Sequence, residues 1–174
     1  MRQPSSLKAI AIALSLVLSS LIFLTPTPPV LADTAFQPMF IASIFSFSGK
    51  RPTNLGVKDG KLGTCPSSPN CVSSNSSDEQ HKIEPLTYQG DGKAAFEKLK
   101  SIIASIESAK MIQAETHYLY AEFTSKLMGF VDDVEFYLDE NAGIIQVRSA
   151  SRLGQSDLGV NRKRIEDIRT KFNA

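Results

Sequence analysis

Apolar and polar residues alternate along much of the second half of the chain, which is the pattern of β-strands. The alternation runs through residues 118–123, 133–138 and 144–148, and residues 111–115 add a further predicted strand. One face of the resulting sheet is apolar and consists of Leu119, Ala121, Phe123, Val134, Phe136, Leu138, Ile145 and Val147. The opposite face carries Tyr118, Tyr120, Glu122, Asp133, Glu135, Tyr137, Gln146 and Arg148. This polar face is expected to be either an ordinary solvated surface or a tyrosine-rich binding surface.

Two segments with helical spacing are expected to cover the apolar face. Asp91 can cap a helix that runs to Ser108. The predicted buried stripe of this helix is Ala95, Leu99, Ile102, Ile103 and Ile106. The last helix is predicted to bury Ile165, Ile168, Phe172 and, on the same face, Asn161. An edge strand is expected at residues 81–88, and tight turns are expected at residues 59–60 and 139–143.

The first residues have the form of a secretory signal peptide. Arg2 and Lys8 form a short basic region, and a mainly apolar run follows to Leu24. The apolar run is shorter than the roughly 20 residues that a transmembrane helix needs. This favours cleavage after Ala32 over an uncleaved membrane anchor. Residues 1–32 are therefore assigned to a signal peptide, and the protein is expected to be exported.

Residues 33–50 form an apolar leader with almost no charge. Phe36, Phe40, Ile44 and Phe47 recur at helical spacing and would give a short amphipathic helix. The apolar stripe of that helix would contact a membrane surface, a partner, or the core of the domain itself. A short stripe without many basic residues binds a bilayer only reversibly, so any membrane contact through Phe36 to Phe47 is expected to be peripheral.

Prolines, glycines and serines make residues 51–75 a loop arm, and this arm contains both cysteines of the chain, Cys65 and Cys71. In an oxidising compartment such a pair is expected to form a disulfide. The alternative is a metal site completed by His81 or His117. It is disfavoured because the cysteines are further apart than the roughly two to four residues usual in zinc sites. Neither a metal nor another cofactor is predicted.

The predicted fold class is α+β, with an antiparallel sheet of about four to five strands, two helices packed on one face and a disulfide-closed loop arm before them. Residues 51–172 form a single domain in this prediction. Residues 1–32 contain two of the 19 basic residues and none of the 18 acidic ones, so the remaining chain has a net charge of about −1. A near-neutral chain gives no reason to expect nucleic acid as a partner.

Between residues 129 and 164, a group of acidic residues comes before a group of basic residues. Acids come first, with no base among them: Asp132, Asp133, Glu135, Asp139 and Glu140. Bases follow, with Asp157 as the only acid: Arg148, Arg152, Arg162, Lys163 and Arg164. The last three bases crowd the start of the last helix, where the helix dipole disfavours cations. Compensation is expected from the acidic cluster, from Asp157 as a cap, or from a bound anion.

Three separated segments resemble the family catalogued as domain of unknown function 1499: CPSSPNCVSS (65–74), GFVDDVEF (129–136) and VRSASRLGQSDLGVNR (147–162). The resemblance extends over roughly residues 50–172. The matched motif positions are Gly129, Phe130, Asp132, Asp133, Arg148, Ser149, Ser151, Arg152, Ser156, Asp157, Gly159, Asn161 and Arg162. The resemblance implies an exported bacterial or plastid-type protein of the periplasm or the thylakoid lumen. It implies a location for a site but no activity.

The candidate ligand-binding or partner-binding site consists of Asp132, Asp133, Arg148, Ser149, Ser151, Arg152, Asp157, Asn161 and Arg162. The preferred interpretation is a non-enzymatic binding or assembly module at or near a membrane, whose polar surface contacts a protein partner or an anionic ligand. Arg152, flanked by small residues, is expected to be its exposed functional arginine.

Two alternatives place an acid-base hydrolase or a small anionic-ligand carrier at Asp132, Asp133, Arg148 and Arg152. In the hydrolase, an aspartate would be the general base and the arginines would stabilise a developing anion. Carboxylates beside arginines are poor bases, however, and the chain has no recognisable nucleophile motif, so catalytic residues remain unassigned. A deep concavity at these residues would favour an enzyme or carrier, and a flat tyrosine-rich face would favour protein contact.

Overall fold

The polypeptide forms an antiparallel sheet with two helices on one face and a loop arm on the other, as described by a computed structural model for residues 47–174. The predicted signal peptide (1–32) and residues 33–46 of the leader lie outside the described residues. The strands are β1 (Val57–Lys58), β2 (Lys61–Leu62), β3 (Cys71–Ser73), β4 (Leu86–Thr87), β5 (Ala109–Ala114), β6 (Tyr118–Thr124), β7 (Val131–Asp139) and β8 (Ile144–Ser151). The helices are α1 (Gly92–Ala104) and α2 (Val160–Asn173).

The α+β class is confirmed, but the predicted number of strands is wrong. The main sheet has six strands in the order β3-β8-β7-β6-β5, with β4 also paired to β8, and β1 and β2 form a separate hairpin. The additional strands are short segments that pair with the two ends of the long β8. The predicted strand at residues 81–88 is reduced to β4 and an isolated bridge at Lys82. Such short segments carry too few residues to show an alternating pattern.

The two helices cover the apolar face, as the alternation predicts. The buried helix residues are Phe96, Leu99, Ile103, Ile165, Ile168 and Phe172. Phe96 is fully buried, although the predicted stripe contained Ala95 instead. Ala95, Ile102 and Ile106 are only partly buried at the edge of this core.

An aspartate shortly before each helix accepts hydrogen bonds from backbone N–H groups at the helix start. The Asp91 side chain accepts one from the backbone N–H of Ala94 at 2.7 Å, as predicted for a cap. Before α2, the Asp157 carboxylate accepts bonds from the backbone N–H groups of Gly159 at 3.0 Å and Asn161 at 2.8 Å. Gly159 is the N-cap residue and has φ +83°, a conformation that glycine adopts readily.

The arm, rather than solvent, covers the polar face of the sheet. Its β1–β2 hairpin turns at residues 59–60, both of which have positive φ, as a tight two-residue turn requires. Leu62 packs against Tyr118 and Tyr120. Five residues of the polar face are buried, namely Tyr118, Tyr120, Asp133, Glu135 and Arg148. The prediction of a solvated or open tyrosine-rich surface is therefore wrong for this part of the face, because a loop-like sequence does not show what the loop packs on.

The disulfide between Cys65 and Cys71 is present, as predicted. Cys71 is the first residue of β3 and pairs with Ala150 of β8. The bridge therefore attaches the end of the arm to the edge of the sheet. Within residues 47–174, no helix is long and apolar enough to cross a membrane.

Candidate functional site

The candidate site residues fall into two clusters on opposite faces of the sheet. Asp132 and Asp133 are neighbours in β7, and successive side chains of a strand point to opposite faces. Asp133 lies under the arm with Arg148 and Arg152, whereas Asp132 lies under α2 with Ser149, Ser151 and Asn161. We call these groups the arm-side cluster and the helix-side cluster.

The arm-side cluster also contains Tyr118, Tyr120, Glu122 and Glu135. Arg152 lies at its centre. Its Nε donates to both oxygens of Asp133 at 2.9 and 3.1 Å, and its Nη2 donates to Tyr120 at 3.0 Å and to Glu122. The Arg152 side chain is only 6% exposed, so the prediction that it is the exposed functional arginine is wrong. The end of the leader lies against it, since a Cβ on Gly49 would lie 3.1 Å from the Arg152 Cβ.

Glu135 is the second anchor of the arm-side cluster and is completely buried. Its carboxylate accepts hydrogen bonds from the Tyr118 hydroxyl at 2.8 Å, from Nη1 of Arg148 at 3.1 Å and from the backbone N–H of Gly56 in the arm at 2.7 Å. The arm also contributes Arg51, which pairs with Glu122 at 2.6 Å. Three carboxylates are thus matched by three arginines, and one of these arginines comes from the arm. Buried charges are tolerated when they are paired in this way.

The surroundings of the arm-side cluster shift the pKa values of three of its members, Tyr118, Tyr120 and Glu122. Burial alone would raise the pKa of Glu122, but the hydrogen bonds from Arg152 and Arg51 outweigh it and hold the pKa below its usual range. Burial and the neighbouring carboxylates raise the pKa values of Tyr118 and Tyr120 well above their ordinary value. At neutral pH, Glu122 is therefore ionised and both tyrosines keep their protons, so none of the three is poised for proton transfer.

The helix-side cluster is a chain of hydrogen bonds between β8 and α2. Arg164 forms an ion pair with Asp132 and donates to Asn161 Oδ1 at 2.6 Å and to Ser149 Oγ at 3.0 Å. Ser149 donates to Asn161 Oδ1 at 2.5 Å, and Asn161 Nδ2 donates to Ser151 Oγ at 2.9 Å. In the described part of the chain, neither serine hydroxyl contacts a histidine or a carboxylate. An activated serine nucleophile would need such a base.

The remaining predicted residues, Arg162 and Asp157, make their hydrogen bonds to backbone groups. Arg162 donates to the backbone oxygens of Lys82 at 2.7 Å and Gln80 at 3.0 Å. Asp157 accepts hydrogen bonds from the N–H groups at the start of α2, the position that an anion would take at a helix N-terminus. The crowding of bases on α2 is thus compensated by Asp157 and by the pairing of Arg164 with Asp132.

Besides Tyr118 and Tyr120, sequence reasoning left four charged cluster members out of the candidate site: Arg51, Glu122, Glu135 and Arg164. Two of them had a readable signal, because Glu135 follows Asp133 by two residues on one strand face and Arg164 follows Asn161 by three residues on one helix face. Arg51 had none, since it lies in the loop arm, far from β6 in sequence. No group of His, Cys, Asp and Glu residues suited to hold a metal ion occurs among residues 47–174.

The candidate site is neither a deep concavity, which would favour an enzyme or carrier, nor a flat tyrosine-rich face, which would favour protein contact. The depression beside Asp132 is small, about 190 Å³, and its lining combines serines and aspartates with apolar residues such as Phe130, Leu153 and Val160. Arg148 and Arg152 lie under the arm and do not line it. This depression belongs to a larger feature, an exposed apolar surface at one end of the domain.

We call this surface the apolar end and define it as Phe47, Leu127, Met128, Phe130, Leu153, Leu158 and Val160. These residues come from the β6–β7 loop, the β8–α2 connection and the start of the described chain. Phe47 connects them, since its ring stacks on Phe130 with centroids 5.3 Å apart and its backbone N–H donates to the Met128 oxygen at 3.5 Å. Among the described residues, only two other large apolar side chains are similarly exposed, Val57 and Met111.

Comparison with known families agrees with the resemblance of the three sequence segments. The model of the family described as "Protein of unknown function (DUF1499)" matches residues 61–172, which is more than half of the chain. The protein belongs to this family. No curated protein and no solved structure matches the chain.

Proposed function

We propose that this protein is an exported, non-enzymatic binding or assembly module that attaches to a membrane surface through the apolar end of its domain. The observation that carries the proposal is the concentration of exposed apolar side chains at that end. Leu127 and Leu158 are 86% and 94% exposed, and both lie in loops rather than in a groove. Contiguous apolar surface of this kind marks contact with a protein or a membrane.

Leu158 gives the strongest local support. It has φ +54°, a conformation that L-residues other than asparagine and aspartate rarely adopt, and its exposed side chain gains almost no packing energy in return. Residues with unfavourable backbone geometry cluster at functional sites. The geometry holds an apolar side chain out in solvent, where it can insert into a bilayer.

The position of the leader favours a bilayer over a protein surface. Phe47 packs on Phe130, so the described part of the chain begins at the apolar end, and the sequence directly before it is apolar. Protruding loop tips and an apolar segment at one end suit insertion between lipids, which needs no matching surface. The polar arm-side cluster, first considered as the contact surface, is covered by the arm and internally paired. The proposed membrane contact is therefore the apolar end and not this cluster.

Vesicle flotation tests this proposal. The purified protein is mixed with phosphatidylcholine vesicles, with and without phosphatidylglycerol, and the floated fraction is measured. The Leu127→Ser/Leu158→Ser variant is expected to bind at least about tenfold more weakly, because each leucine contributes about 1.5 kcal/mol or more when it leaves water.

The matched control is Val57→Ser/Met111→Ser, which removes two apolar side chains of 38% and 39% exposure elsewhere on the surface. It is expected to float like the wild type. Equal losses in the two double variants, or no flotation of the wild type, would refute membrane attachment through the apolar end.

A further inference from the structure

A groove of about 360 Å³ lies between α2 and the segment that joins α1 to β5. Its floor is apolar and includes Ile106, Phe123 and Ile168, while Lys163 and Lys171 of α2 are at its rim. The volume is within the range of about 300 to 1,000 Å³ typical of small-molecule sites. Val160 belongs both to this groove and to the apolar end, but the floor residues Ile106, Phe123 and Ile168 take no part in the proposed membrane attachment.

The groove is elongated along α2. Val160 in the first turn and Lys171 in the last both line it. At 1.5 Å per residue, the helix separates these two positions by about 16 Å. A long, narrow space with an apolar floor suits an extended hydrocarbon chain better than a compact, polar ligand.

The charges around the groove are not balanced. Its lining contains three bases, Lys163, Arg164 and Lys171, and one acid, Asp167. Lys163 is paired with Asp167 at 2.6 Å. Arg164 is paired with Asp132, and its guanidinium carbon lies 4.9 Å from the centroid of the Phe123 ring in the floor. Lys171 has no ion-pair partner among residues 47–174. One positive charge is therefore left available beside an apolar floor.

We propose that this groove binds a single-chain amphiphile with an anionic headgroup, either a carboxylate or a phosphate. The chain lies on Ile106, Phe123 and Ile168, and the headgroup pairs with Lys171. Neither contact depends on attachment to a membrane. Lys171 also lies in the last turn of α2, where a cation stabilises the helix, so the test must separate binding from stability.

Isothermal titration of the purified protein with dodecanoate and dodecyl phosphate, each below its micelle concentration, tests the proposal. Saturable binding of at least one is expected. Butyrate has a headgroup without the chain, and dodecyltrimethylammonium has the chain with the opposite charge, so neither should bind measurably. Tighter binding of dodecyl phosphate would identify a lysophospholipid-type ligand, and tighter binding of dodecanoate a fatty acid. Both results support the proposal.

Lys171→Gln is expected to weaken binding of the preferred amphiphile by about fivefold, as for loss of one exposed ion pair. Lys58→Gln makes the same chemical change on the exposed β1 strand and should leave the affinity unchanged. Thermal melting of both variants shows whether they fold. Absence of saturable binding by both anionic probes, or equal affinities in folded Lys171→Gln and Lys58→Gln, would overturn the proposal.

Discussion

At the scale of single residues, Arg152 joins the largest number of partners in the arm-side cluster. Its guanidinium donates to Asp133, Glu122 and Tyr120 from a position that solvent hardly reaches. Arg162, a neighbour in the same sequence motif, only donates to two backbone oxygens near the surface. The two arginines therefore differ in what their removal leaves unpaired.

We predict that Arg152→Ala lowers the free energy of unfolding by about 3 to 5 kcal/mol, because it leaves the Asp133 carboxylate buried without its arginine. Arg162→Ala should cost about 1.5 kcal/mol, the lower end of the range for hydrogen bonds made by a charged group, because both of its bonds are exposed. Urea denaturation of the two variants and the wild type measures both values. An Arg152→Ala protein as stable as the wild type would contradict the structural role of this arginine.

Of the carboxyl groups with a lowered pKa, two are partly buried and link stability to pH, namely Glu122 and Asp157. The pKa of Asp157, like that of Glu122, is held below its usual range: burial would raise it, but the hydrogen bonds from the N–H groups at the start of α2 outweigh burial. A group with a lowered folded pKa binds protons more weakly in the folded state than in the unfolded chain. Its stabilising effect is therefore complete above the unfolded pKa of about 4 and is lost as the pH falls through the folded pKa.

We predict that the free energy of unfolding is steady from neutral pH to about pH 5 and falls below about pH 4. Glu122→Gln should lower stability at neutral pH and make the acid decline shallower, because one of the linked protons is removed. Exposed Glu79→Gln is the control and should keep the wild-type slope. Denaturant unfolding at a series of pH values measures these slopes, and identical slopes for wild type and Glu122→Gln would refute the linkage.

At the scale of elements, the disulfide holds the arm against the sheet. It closes a short loop between Cys65 and Cys71. We predict that Cys65→Ser/Cys71→Ser lowers the free energy of unfolding by about 2 kcal/mol, the chain-entropy value for so short a loop. Mass spectrometry without reductant should show the wild type without free thiols. Two free thiols in the exported protein would contradict the bridge.

The elements that the sequence predicts are those whose own residues show a strand or helix period in their apolar positions. In β6 and β7, alternation is maintained over enough residues to define both faces, and α2 shows its stripe through Ile165, Ile168 and Phe172. The arm could not be placed in this way. Its prolines, glycines and serines specify a loop, and only Leu55 and Leu62 mark the side that packs on the sheet.

The candidate site was only partly predictable, because a motif groups residues by their position along the chain and not by the face of the sheet on which they lie. The motif residues do lie near one another along the chain, but Asp132 and Asp133 belong to different faces, which the strand period indicates and the grouping by motif ignored. Whether these residues bind a partner or ligand stays a prediction. The apolar end could not be recognised from sequence, because exposed Leu127 and Leu158 look like ordinary core residues until their loops are placed.

At the scale of the whole molecule, we assign the arm-side and helix-side clusters to stability and propose that the apolar end contacts the membrane. The arm-side and helix-side clusters join the arm, the sheet and α2, and the apolar end provides the contact with the membrane. Export to the periplasm or the thylakoid lumen and a peripheral contribution from Phe36 to Phe47 are parts of the same proposal. The central claim is that the apolar end enters the lipid.

Tryptophan fluorescence tests this claim most directly, since the natural chain contains no tryptophan. Leu127→Trp, Leu158→Trp and, as a control, Val57→Trp are each mixed with vesicles that contain lipids brominated on their acyl chains. The account predicts a blue shift and quenching of the tryptophans at positions 127 and 158, because these side chains enter the acyl region, and no change at position 57. Equal responses at all three positions, or no response at 127 and 158, would contradict it.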